Sequence, residues 1–136
     1  MRTRCLIVLL LCCITPALHA EPEWILAGGK NDGSFRIYFR ADVKRLPNGL
    51  SEGWELFDYK ASQFDADLKI IYRSQIWLQT FNCKERSAAT FALEFYSDSM
   101  GKGTMLRSMK REPDQIKFIR PAAGSPAEFM VNKICS

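Results

Sequence analysis

Histidine is all but missing from this sequence. A single one, His19, stands among 136 residues, and it falls in a leader-like stretch at the start. The chain beyond it has no imidazole for a Ser-His-Asp triad, a Cys-His dyad or a His-ligated zinc site. Long apolar runs are missing too. The stretch from Cys5 to Ile14 is about half of the ~20 residues that cross a bilayer, so no transmembrane span is expected. Charge of one sign is not in excess: lysine and arginine number 19 against 15 acids, a net +4 that falls to about +2 without Arg2 and Arg4 of the leader-like stretch, too little to imply nucleic acid. Gly101 and Gly103 lack the Gly-Lys-Ser/Thr ending of a phosphate loop. Asp65 and Asp67 lack the further oxygen ligands, the glycine and the closing glutamate of a calcium loop. Glu55, Asp58, Glu94 and Asp98 read as acids of solvated strand faces, with no sign of a catalytic pair. No enzyme, metal or cofactor follows from these residues. Repeats and low-complexity segments are also lacking.

What is present begins with that leader. Arg2 and Arg4 precede the apolar stretch Cys5 to Ile14, Pro16 breaks it, and Leu18-His19-Ala20 ends it. This is the pattern of a secretory signal peptide cut after Ala20. The expected domains are therefore a signal peptide over 1–20 and a single domain over 21–136. Leu11 before Cys12, and Cys12 before Cys13, make a poor lipobox, so no lipid anchor is expected. The protein is read as exported, to the periplasm or to the cell surface and outer membrane. Cleavage removes His19 and three of the five cysteines. Cys83 and Cys135 remain, and in an oxidising compartment they read as one disulfide.

The remainder is strand-like up to its last dozen residues. Phe35, Ile37 and Phe39 alternate with Arg36, Tyr38 and Arg40 after a Gly-rich turn, which predicts a hairpin strand with one buried face. Ala41 to Ser51 reads as a loop, and Glu52 to Lys60 as a strand with large side chains on both faces. Ala61 to Leu68 reads as a solvated connection. Ile70 to Cys83 is the longest strand-like run and the expected centre of the fold, with Trp77, Phe81 and Cys83 on one face. Ala88 to Asp98 and Thr104 to Arg111 are further strands. Ser125, Pro126 and Glu128 form a helix start with a capping box. Ala127, Met130, Val131, Ile134 and Cys135 then share one helical face. The fold class is α+β: a curved antiparallel sheet of about six strands with a C-terminal helix packed on one face and tied there by Cys83–Cys135.

Surface chemistry supplies the candidate partner-binding residues. Arg36, Tyr38 and Arg40 form a basic, aromatic stripe, and Arg107, Lys110 and Arg111 mark a second basic segment. Arginine and tyrosine are common at interfaces. A solvated sheet face and a basic loop account for any one of these residues taken singly.

Several features in order carry a resemblance. They are Trp24, Tyr38, the strand Trp54-Glu55-Leu56-Phe57-Asp58-Tyr59-Lys60, Tyr72-Arg73-Ser74, Asn82-Cys83, Tyr96-Ser97 and Gly103. Ile119-Arg120-Pro121, Gly124-Ser125 and Ile134-Cys135 close the series. Over residues 24 to 136 the chain resembles the surface-adhesin protein E family of Gram-negative bacteria. The resemblance implies a six-stranded antiparallel sheet with a C-terminal helix held on its concave side by the disulfide. It also implies a homodimer at the bacterial surface that binds host extracellular-matrix proteins such as vitronectin and laminin, and haem, which nothing else in the residues suggests. No receptor-binding motif is carried over residue by residue. Two function classes stand: an adhesin with extracellular partners, and a periplasmic binding or accessory protein for a small ligand or an envelope partner.

Overall fold

The computed structural model describes residues 23–136, and the expected signal peptide lies outside them. The alternating stretches form strands β1 (Trp24–Gly29), β2 (Phe35–Arg40), β3 (Lys44–Arg45), β4 (Leu50–Asp65), β5 (Ile70–Asn82), β6 (Ser87–Tyr96) and β7 (Met105–Lys110), followed by helix α1 (Pro126–Ile134). All pair antiparallel in the order β1-β2-β4-β5-β6-β7, and β3 pairs with β4 outside that path.

Residues directly opposite each other on antiparallel strands share a face. The files Phe39–Glu55–Trp77–Leu93 and Ile37–Phe57–Gln75–Phe95 therefore lie on one face of the sheet, and Tyr38–Leu56–Ile76–Glu94 and Arg36–Asp58–Ser74–Tyr96 on the other. The first face carries α1. Phe39 and Phe81 of the sheet form a buried cluster with Met130, Val131 and Ile134 of the helix. The approach is close: a Cβ added at Gly53 would lie 3.2 Å from Ile134 Cδ1 and 3.3 Å from Phe81 Cε2. Phe129 meets Phe39 edge-on, with ring centroids 6.0 Å apart. Cys83 and Cys135 are bonded, their Cα atoms 5.2 Å apart, so the helix is pinned to the end of β5 as the residues predict.

Several expectations need correction. β4, with 16 residues, is longer than β5 with 13. It runs through Ala61–Asp65, so the expected connection shrinks to a turn over residues 66–69, where Leu68 N donates to Asp65 Oδ1 at 2.9 Å. This hairpin arm extends beyond β2 and β6, and a two-stranded ribbon wet on both faces needs no apolar alternation. Within the expected loop over Ala41–Ser51, β3 pairs Lys44 with Glu52 and Arg45 with Ser51. A bulge where β6 leaves the register of β5 sets Thr90 opposite Gln79, on the helix-bearing face, although alternation places it with Glu94. At the helix start, Ser125 Oγ accepts from Glu128 N at 3.2 Å as expected, but the Glu128 carboxylate accepts from Gly124 N at 2.7 Å and not from the cap residue. Ala127 is exposed, off the buried stripe.

Candidate interaction surface

The face away from the helix is partly roofed by its own chain. Between β6 and β7 the segment Ser97–Gly103 folds back across β4 and β5. Asp58 accepts from Ser99 Oγ at 2.8 Å and Met100 N at 2.7 Å. Ser74 Oγ donates to Asp98 O and accepts from Gly101 N at 2.9 Å. These bonds hold Met100 in the left-handed region at φ 59°, a conformation that costs energy for a side chain of this size. Gly101 has φ 69° and sits so close to the sheet that a Cβ there would come 2.5 Å from Ile76 Cδ1. A side chain there would have to push Ile76 aside at a φ that favours glycine, and Leu56 beneath is fully buried. Asp58 thus fastens a loop and is not the solvated strand acid expected from alternation.

Beside this loop opens a cleft of about 740 Å³, lined by Trp24, Arg40, Ile76, Met100, Lys102 and the two loop glycines. Arg40 makes an ion pair with Asp42 and holds its guanidinium carbon 5.8 Å from the centre of the Trp54 ring. Arg36 lines a smaller hollow of about 310 Å³ with Gly33, Asp58 and Lys60. Tyr38, half-buried, stands between Leu26 and Leu56. The predicted stripe Arg36–Tyr38–Arg40 therefore does share one outer face. Trp24, Trp54 and Lys102 join it. The cross-strand pairing of Trp24 with Arg40 carries that link, and no local sequence signal announces it.

The second predicted group lies elsewhere. Arg107 pairs opposite Phe95 on the helix-bearing face, Lys110 Nζ stands 4.9 Å over the Phe91 ring, and Arg111 donates its backbone N–H to Phe91 O. β7 is four strand spacings from β2, about 19 Å. The two basic groups are separate surfaces.

Glu55 is the group that sequence reasoning placed least well. Alternation read it as solvated, yet it is 4% exposed on the helix-bearing face, between Phe39 and Trp77. Gln79 Nε2 donates to its carboxylate at 2.9 Å, and Thr90 Oγ1 reaches Gln79 in turn. Burial pushes the Glu55 carboxyl above the usual glutamate range, and the Gln79 bond only partly opposes this. The unfolded chain releases this proton at its ordinary value while the folded one retains it to higher pH. The resulting stability is present in full below the ordinary range and declines as pH rises through the raised folded value. Glu55→Gln keeps an acceptor for Gln79 and removes the titration. We expect denaturant midpoints to fall from pH 4 to 7 in the wild type and to flatten in the variant. An unchanged slope would show that Glu55 is ionised in the fold.

Among the described residues no group of His, Cys, Asp and Glu side chains comes together as a metal site, and no helix is long and apolar enough to cross a membrane. The sequence profile described as Surface-adhesin protein E matches residues 24–136. Solved structures of Haemophilus influenzae protein E share the fold. One aligns with a TM-score of 0.58 at 11% identity, over 82% of this chain and 83% of that one. Protein E from a non-typeable strain aligns with a TM-score of 0.58 at 12% identity, over 90% of this chain and 81% of that one. A second crystal form gives 0.56 and 12%, over 73% and 79%. At such identities the likeness is one of fold. No curated protein sequence matches the chain significantly.

Proposed function

The chain belongs to the surface-adhesin protein E family, and from that membership we propose that it is an exported, non-catalytic adhesin. In this reading the mature protein starts at Glu21 and is displayed at the cell surface. Its partner is a host extracellular-matrix protein of the vitronectin or laminin type. The observation that carries the reading is the outer face of β2 and β4, where Arg36, Tyr38 and Arg40 stand with Trp24, Trp54 and Lys102 beside an open cleft. Aromatic rings with long cations offer a partner desolvated contact and charge steering together. The loop fastened by Asp58 and Ser74 keeps one wall of that cleft in place before any partner arrives, which lowers the ordering cost of binding.

Reversing both charges with Arg36→Glu and Arg40→Glu should slow association with immobilised vitronectin or laminin by about tenfold at low ionic strength, and flatten its salt dependence. Surface plasmon resonance over a salt series reads both quantities. Unchanged rates and an unchanged salt slope would remove this face as the binding surface. Antibody labelling of intact against permeabilised cells tests display. Signal only after permeabilisation would favour a periplasmic binding protein instead.

A further inference from the structure

The two outer edges of the sheet are defended differently. At one edge, β7 carries Arg107 and Lys110, Arg111 follows, and Ile119 returns to pair with Ala88. Long cations and a covering segment discourage a further strand. At the other edge, β1 reads Trp-Ile-Leu-Ala-Gly-Gly without a single charge. Its inner side pairs with β2, and among the described residues no strand pairs with its outer side. Ile25 is 39% exposed and Leu26 54%. On either side of a bulge at Ala27, alternate N–H and C=O groups of this edge point outward, and their natural complement is the backbone of another extended chain.

We propose that the outer edge of β1 captures an extended segment of a protein partner, acidic and apolar in alternation, as an added strand. The inference rests on the reading of this protein as a binding protein and names how its partner is held. The side-chain chemistry selects the occupant. Trp24 and Leu26 pair with Arg40 and Tyr38, and so lie on the outer face; Ile25 pairs with Phe39 on the helix-bearing face. An added strand would lie about 10 Å from β2, two strand spacings, within reach of long side chains. Its outward residues would meet Arg36, opposite Gly29, and Lys102, which shares the cleft with Trp24. Neither cation makes an ion pair among the described residues. Acidic side chains suit that face, and apolar ones suit the side of Ile25. A second copy suits it less well. Pairing β1 with β1 about a two-fold axis normal to the sheet would set two basic stripes side by side on one face, which like charges oppose.

The test uses residues 21–136 and a synthetic octapeptide of alternating valine and glutamate, read by amide hydrogen exchange. At about ten times its dissociation constant, the peptide should slow exchange of the outward amides within Trp24–Gly29 by about tenfold. The same peptide methylated at alternate backbone nitrogens, and a valine–lysine octapeptide, should leave those amides unchanged. Protection at β1 without any binding of vitronectin or laminin supports the edge and sinks the matrix-protein reading alone. Absence of protection, protection at β7 instead, or protection that follows protein concentration with a doubled mass would overturn the proposal.

Discussion

Replacing Cys83 and Cys135 together by serine should lower the unfolding free energy by about 2–4 kcal/mol and release the C-terminal helix before the sheet. The bridge spans 52 residues, and chain entropy for a loop of that size sets an upper figure of about 4 kcal/mol. Structure retained by the reduced chain lowers the figure. The order of release follows from the helix itself. Its nine residues make under three turns, too few to persist alone in water. Three buried side chains, Met130, Val131 and Ile134, and the crosslink hold it in place. Urea unfolding reads the loss, and hydrogen exchange at Met130–Ile134 reads the order. A variant that unfolds as one unit, with helix amides as protected as those of β5, would show that the bridge adds nothing local.

Phe81→Ala should cost about as much or more, roughly 3–5 kcal/mol. Phe81 is 1% exposed and forms the floor on which α1 rests. The backbone of β4 at Gly53 already lies against both Phe81 and Ile134. Sheet backbone cannot collapse into the space left by a lost ring, so the cavity persists and its cost adds to the lost burial. The disulfide stays intact in this variant. The helix is then tethered but unseated, which separates the packing contribution from the crosslink. Thermal unfolding and near-ultraviolet dichroism check this, and a loss under about 1 kcal/mol would mean that the helix repacks.

The two changes also mark which parts of the fold were legible in the sequence. The alternation of Phe35, Ile37 and Phe39 and the spacing of Met130, Val131 and Ile134 each report a buried face directly, since one side of the element is wet. The pairing of Cys83 with Cys135 was legible through the expectation that a leader carries the other three cysteines away, and the two are bonded in the fold. What escaped has a common cause. Glu55 is dry because Phe39 and Trp77 flank it, and Asp58 is tied down because Ser97–Gly103 lies over it. Both arise from segments far away in sequence, on which period-two patterning is silent. The Ala61–Asp65 extension of β4 escaped for the opposite reason: it is a solvated ribbon on which even the cross-strand pair Phe64 and Ile71 is exposed, so no buried face marks it. The outer stripe was legible residue by residue, but its company of Trp24, Trp54 and Lys102 depends on register and on the folded-back loop.

Attachment of intact cells to immobilised vitronectin and laminin, with the protein present, deleted and restored, tests the adhesin assignment most directly. The account predicts that deletion lowers attachment several-fold. The wild-type chain should restore it, and a chain carrying Arg36→Glu and Arg40→Glu at equal surface abundance should not. Attachment that is indifferent to deletion, or restored equally by both chains, would contradict it.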